Sequence, residues 1–257
     1  MPYLYQDEKG EHLHALNGRP LLGSSTVIGI LAKNLAWWAA ELAAVECLEK
    51  GELIPTIREE YLAACASSDK KSAIDALQKK YPAFKKARFA HYTDKNTKAK
   101  KGTDMHAECE RFVKDHMNGV LGEYDKKIQP FVDWAILEVD HFIWSEGNCY
   151  SEELWVGGIS DCGYVSKKGK VGIIDFKSSR EAYLSQFLQI ALYDIEIAEN
   201  GILDKGGNLV CKLEKPVDHY IVFPMGAEKV EPQFRYNTEE LKIGARACVT
   251  LYKISNQ

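Results

Sequence analysis

Cysteine is scarce and badly spaced for chemistry in this sequence. The seven Cys (47, 65, 109, 149, 162, 211 and 248) are odd in number, none belongs to a CxxC pair, and the nearest two, Cys149 and Cys162, are thirteen positions apart. That spacing argues against a disulfide framework, a zinc ribbon and an iron–sulfur cluster alike. No apolar run reaches the roughly 18 residues of a membrane span, and the opening MPYLYQDEKGEHLH has neither a basic n-region nor an apolar h-region. The expectation is a cytoplasmic protein with no membrane partner. Gly (19) and Pro (8) are too few for a low-complexity chain, and no GxxxxGK[ST] nucleotide-binding loop occurs. What remains is 257 residues, 46% hydrophobic and 27% charged, enough to bury a core without staples.

The net charge of −4 hides a segregation. Residues 69–101 carry eleven Lys/Arg against three acids, while the rest of the chain carries 22 against 34. Tyr81, Phe84, Phe89 and Tyr92 lie among those cations, the mixture expected of a surface that neutralises phosphates and stacks on bases. Lys85, Lys86, Arg88, Tyr92, Lys98 and Lys101 are the candidate nucleic-acid contacts. The competing reading is a solvated helical stretch whose rings pack inward.

Periodicity divides the chain at about residue 101. Cap-type Ser24, Ser25 and Thr26 precede an apolar stripe that predicts a long helix to about residue 50, and shorter helical patterns follow near 57–66 and 69–80, ending at Pro82. Residues 1–101 therefore read as a mostly helical N-terminal region bearing the basic arm. Gly102-Thr103 opens a helical pattern ending at Gly119, and a further helix is expected over 126–146, burying Ile128, Phe131, Val132, Ala135, Ile136, Val139 and Ile143. From about 149 the period changes to strands: CYSEELWVGG, ISDCGYV and KVGIIDFKSS. A helix near 181–201, an apolar strand HYIVFPM, an edge strand near 228–236 and a helix near 238–254 complete the pattern. The order predicts an α/β fold with a mixed central sheet flanked by helices.

Strand residues two apart share a face, so Asp175 and Lys177 project together while Ile174 and Phe176 point the other way. Midway between Asp161 and Asp175 stands Lys168, the centre of the turn Ser166–Lys170. A hairpin closing there sets the two carboxylates opposite each other, with Cβ atoms about 5 Å apart. Opposed like charges need a proton or a cation between them, which points to a divalent metal, and oxygen ligands suit Mg²⁺ or Mn²⁺. Gln186, Gln189 and Tyr193 form one polar stripe on the following helix, placed for substrate rather than core.

Asp161, fourteen residues, then Asp175-Phe176-Lys177 resembles the signature of the PD-(D/E)XK nuclease superfamily. GTDMH and Gln189-x-x-x-Tyr193 are similar to motifs of its RecB-like exonuclease branch, of the phage or mitochondrial-genome-maintenance type, and SST at 24–26 extends the likeness. The resemblance implies a restriction-endonuclease-like core over 102–257. His106, Asp161, Asp175 and the Phe176 carbonyl would be metal ligands, Lys177 the catalytic lysine, and Gln189 and Tyr193 supports at the active site. An acid preceding the second strand would be Glu152 or Glu153, with Glu153 favoured if no bulge intervenes at Gly157-Gly158. Ser160 stands where the signature has Pro. His12, His14, His91, His116, His141 and His219 show no ligand spacing. The implied activity is a Mg²⁺- or Mn²⁺-dependent DNA exonuclease of recombination, repair or phage DNA processing, in a bacterial or phage-infected cell. It would act on linear ends or single strands, with a helicase or single-strand annealing protein as a partner. The alternatives are a structure- or sequence-specific endonuclease on the same fold and a catalytically silent DNA-binding subunit.

Overall fold

Alternating burial organises the N-terminus as strands rather than helices. The computed structural model describes residues 3–8, 11–31, 54–67, 69–120 and 122–256, less the side chains of 7–8, 11–12, 54–56 and 90–103. β1 (Tyr3–Glu8) pairs antiparallel with β2 (Glu11–Leu16), which pairs with β3 (Arg19–Pro20) across Asn17-Gly18. Both turn residues have positive φ, 52° and 72°, the backbone that an Asn-Gly hairpin turn favours. β4 (Leu22–Gly23) and helix α1 (Ser24–Ile28) follow, then a 3-10 turn at Gly29–Leu31. The remainder of the long helix expected to residue 50, with Trp37 and Trp38, lies outside the described residues.

The chain forms two compact units, 1–32 with 102–257, and 33–101. The expected boundary near 101 is therefore corrected at its N-terminal side: the first 32 residues belong with the sheet. Tyr3, Tyr5, Leu16 and Leu21 supply the reason, because they share a core with Leu203, Tyr150, Trp155 and Ile159.

Unit 33–101 contains helices α2 (Ile54–Ala66), α3 (Lys70–Lys80) and α4 (Pro82–Arg88), and the start of α5 (Ala90–Met117). Asp69 caps α3 by accepting from the Ser72 amide, and Pro82 opens α4 at a position where a missing N–H costs nothing. Its small core holds Ala64, Ile74 and Leu77 with Tyr81 and Phe84 against them. Helix α5 starts before the expected Gly102 and ends, as its Gly119 signals, at Met117.

The helix expected over 126–146 is two elements. α6 (Gln129–Glu138) buries Phe131, Val132 and Ala135 but leaves Ile136 exposed, and the chain then runs straight into β5 (Val139–Ser151). Val139 and Ile143 fit a helical and an alternating pattern equally, and the buried Phe142 and Trp144 decide for the strand. β6 (Val156–Ser166), β7 (Val171–Lys177), α7 (Leu184–Asn200), β8 (Ile202–Leu203), β9 (Leu209–Cys211), β10 (His219–Pro224), β11 (Gln233–Arg235) and α8 (Thr238–Ser255) complete the chain.

The main sheet has the order β11-β10-β7-β6-β5-β8-β9, with β4 alongside β6. β7 and β10 are parallel, and β5, β6 and β7 antiparallel, so the fold is α/β with a mixed sheet flanked by helices. Successive residues go to opposite layers. Ile173, Tyr220 and Val222 pack with α7 and α8, while Ile174, Ile221 and Phe223 pack with α5 and α6. Each large apolar side chain buried this way contributes about 1.5–3 kcal/mol. Among the described residues no helix is long and apolar enough to cross a membrane.

Two buried acids pin α7. Asp194 Oδ2 lies 2.9 Å from Lys242 Nζ of α8 and accepts from Tyr220 OH at 2.7 Å. Removing the lysine alone strands a desolvated carboxylate, so Lys242→Met lowers stability by about 3 kcal/mol in urea unfolding, and adding Asp194→Leu restores most of it. An unchanged midpoint in the single variant rejects the pair as structural.

Glu196 accepts from Ser24 Oγ at 2.6 Å, and burial pushes its carboxyl up to about 8. The folded state keeps this proton to about pH 8, whereas an ordinary glutamate gives it up near 4.5. The contribution is thus complete below the lower value and is lost as pH rises through the upper one. Wild type loses stability relative to Glu196→Gln between pH 5 and pH 8.5 in parallel denaturant titrations; a constant difference refutes a protonated Glu196.

Candidate metal centre

The β6–β7 hairpin has the register that its turn predicts. Cys162 pairs with Ile174 and Val165 with Val171, and the Ser166 amide donates to Lys170 O at 2.8 Å across a loop closed by Gly169 at φ 72°. One step beyond the Cys162–Ile174 pair, Asp161 stands opposite Asp175. On the other side of β6, the pairs Ser145–Cys162 and Gly147–Ser160 place Glu146 opposite Asp161. Three carboxylates thus stand on three adjacent strands.

Helix α5 brings His106 to this row. Its Nε2 is 2.5 Å from the Phe176 carbonyl oxygen, which can only accept, so Nε2 carries the hydrogen, and its Nδ1 is 3.8 Å from Asp161 Oδ2. Asp161 Oδ2 also accepts from the Phe176 amide at 2.7 Å. Ligand atoms of His106, Glu146 and Asp161 all lie within 4.8 Å of one another. This group of one imidazole and two carboxylates can hold a metal ion.

Asp175, the third expected side-chain ligand, is engaged elsewhere. Asp175, 2% exposed, has its two oxygens 2.9 and 2.8 Å from Lys177 Nζ. Burial raises the Asp175 carboxyl above the ordinary range, with Lys177 pulling against that and the Asp161 charge adding to it. For Lys177, burial works against the ammonium, but Asp175 and Asp161 outweigh it and the net shift is upward. The lysine is a held cation.

Glu146 was not among the residues expected from the sequence. Its carboxyl is pushed up to about 7, first by desolvation and then by the negative charges of Asp161 and Glu110. A residue with φ of 52° inside a strand, followed by Gly147, is the local peculiarity that marks it. Glu153, expected here, is elsewhere. Residues 152–155 form the β5–β6 turn, so strand alternation from Asp161 does not extend to it, and its carboxylate binds Arg246 Nη1 at 2.7 Å.

Gln189 donates to Tyr193 OH at 2.6 Å, and the buried Tyr193 lines, with His106, Glu146, Asp161, Ser25 and Thr26, a cavity of about 400 Å³. Burial holds the Tyr193 hydroxyl well above its ordinary value, so it stays a neutral donor. Gln186, expected on the same polar stripe, is committed to the start of α7. It accepts from the Tyr183 amide at 2.9 Å and donates to Ser179 Oγ at 3.1 Å. His14, set aside as structural, also lines the cavity, with Nδ1 2.5 Å from Tyr3 OH.

In unit 33–101, Lys85, Lys86 and Arg88 are exposed, whereas Tyr81 and Phe84 pack inward. Tyr81 also donates to Glu60 at 2.7 Å. Of the interleaved rings, Phe89 keeps 40% of its surface exposed; the side chains of Tyr92, Lys98 and Lys101 lie outside those described. Compared with known proteins, the chain matches no family model and no curated protein.

Proposed function

We propose that this protein is a divalent-metal-dependent DNA nuclease with a PD-(D/E)XK core of the RecB-like branch, acting as an exonuclease on linear ends or single strands. The observation that carries this reading is the row Glu146, Asp161 and Asp175 across three strands, with His106 beside it and Lys177 held by Asp175. The donor set fits the metal the reading requires: two carboxylates and an imidazole converge, and their mutual repulsion is relieved by a cation. His106, Glu146 and Asp161 would hold Mn²⁺ or Mg²⁺, with the Phe176 carbonyl within reach of the histidine. Bound there, the ion polarises a phosphoryl oxygen and lowers the pKa of a water molecule.

The remaining work belongs to the chain. Asp175 fixes the Lys177 ammonium, which stabilises negative charge developing on the phosphoryl group. Tyr193, oriented by Gln189, presents a neutral hydroxyl to the same cavity. Lys85, Lys86 and Arg88 supply phosphate neutralisation that the acidic remainder of the chain lacks.

On end-labelled linear DNA with Mn²⁺ or Mg²⁺, wild type shortens the strand and leaves a closed circle intact, and EDTA stops it. Circle cutting moves the assignment to an endonuclease. Lys177→Met lowers the rate by roughly 10²–10³-fold while calorimetric Mn²⁺ binding persists; Glu146→Ala and Asp161→Ala lose both. Undiminished cleavage in the Asp161 variant rejects the site.

Reversing Lys85, Lys86 and Arg88 to Glu weakens DNA binding and reduces the slope of log affinity against log salt by about 2, as expected for three lost single-strand phosphate contacts. Mn²⁺ affinity stays at the wild-type value. An unaltered slope removes these residues from the interface.

A further inference from the structure

Glu146 lines two cavities. One contains Ser25, Thr26 and Tyr193 and belongs to the site above. The other, about 350 Å³, shares Glu146; Ile143, Trp144, Ile202 and Val210 give it apolar walls, and Asn118, Asn148 and Asp204 stand among its polar lining. Its size falls within the range of about 300–1,000 Å³ seen for small-molecule sites.

Sheet topology explains why this space exists. β5 runs for thirteen residues, but its outer neighbour β8 has two, and they pair only at Asn148–Leu203. From Ile143 to Gly147 the outer edge of β5 therefore has no strand partner among the described residues, and the cavity occupies the place of the missing strand. Ser145, in the middle of that stretch, has a buried hydroxyl that makes no hydrogen bond among the described residues. An unmet buried hydroxyl is destabilising unless something arrives to pair with it. Lys114, which pairs with Glu110, and Lys205 also line the cavity.

Apolar walls, an unmet hydroxyl, lysines and a shared wall with a cation-binding carboxylate describe a receptor for a flat, partly polar ring attached to a phosphate. We propose that this cavity receives the base of the terminal nucleotide next to the bond that is cut. The inference rests on the nuclease reading and deepens it: a base seated between β5 and β8 places its own phosphate at Glu146, and the site selects an end by the base it can swallow. A phosphate alone would gain nothing from Ile143, Ile202 and Val210.

Val210 is 58% exposed, so Val210→Trp fills the cavity without disturbing the core. Two measurements test the proposal. In the first, linear single strands ending in a normal or an abasic residue, placed at either end, are digested with Mn²⁺. Wild type removes the normal residue about tenfold faster, within the range that base contacts supply, and Val210→Trp lowers that rate to the abasic one. Equal wild-type rates, or a variant that keeps the preference, overturn the proposal. In the second, deoxyadenosine monophosphate and deoxyribose 5-phosphate are titrated calorimetrically without metal. The nucleotide binds wild type and not Val210→Trp, and the sugar phosphate binds neither. Equal nucleotide binding to both proteins overturns the cavity assignment. Nucleotide binding lost in the variant, together with no DNA cleavage by wild type, overturns the nuclease reading and leaves the cavity standing.

Discussion

Repulsion among Glu146, Asp161 and Asp175 is the constraint around which the sheet is arranged. Three acids on neighbouring strands destabilise a sheet unless each has a compensating charge, and the fold supplies these by different means. Asp175 is answered by Lys177 from its own strand, two residues on and so on the same face. Asp161 takes the Phe176 amide and faces the His106 ring. Glu146 is answered least: His106 and Lys114 pull its carboxyl down, but desolvation and the Asp161 and Glu110 charges outweigh them and drive it toward the neutral form. The least compensated member of the row is the one that a cation would benefit most.

That arrangement needs a rigid frame, because a one-residue slip of β6 would turn Asp161 to the other layer. Two dry layers prevent it. Ile174 and Phe176 are locked among Phe131, Phe223 and the α5–α6 side chains, while Ile173 is locked under α7. The same alternation that buries these residues aims the carboxylates. The geometry of the carboxylate row and the core packing are therefore one specification, and the buried Asp194–Lys242–Tyr220 contact that ties α7 to α8 and β10 supports the helix from which Tyr193 reaches the cavity.

The β6–β7 half of the site was readable because a short turn with Gly at its left-handed position leaves a single register, and register alone sets Asp161 against Asp175. Glu146 was not readable by the same route, for a physical reason. Val132, Ala135, Ile136, Val139 and Ile143 recur at spacings that suit a helix, so β5 was expected to begin ten residues late and its acid was assigned to a helix end. Once β5 is known to start at Val139, its hairpin with β6 brings Glu146 opposite Asp161 as directly as the neighbouring turn brings Asp175. The N-terminal strands carry a stronger signal, Asn17-Gly18 between alternating segments. Glu153 and Gln186 show the converse error. Both have suitable chemistry, but one is spent on Arg246 and the other on capping α7, uses that depend on elements distant in sequence or on turn geometry.

Charge, more than shape, divides the labour within the chain. Outside 69–101 the acids outnumber Lys/Arg by 34 to 22, so the part that holds the carboxylate row repels a polyanion at long range. Inside 69–101 the balance is eleven to three the other way. On the nuclease reading proposed above, the basic stretch would attract a polyphosphate and the acidic remainder would not. On that reading, a phosphate near the acids would need local compensation, from Lys177, from a cation held by His106, Glu146 and Asp161, and from Lys114 and Lys205 beside Glu146. If that reading holds, salt weakens DNA capture far more than cleavage, because Lys85, Lys86 and Arg88 are exposed and screened while Lys177 is buried against Asp175.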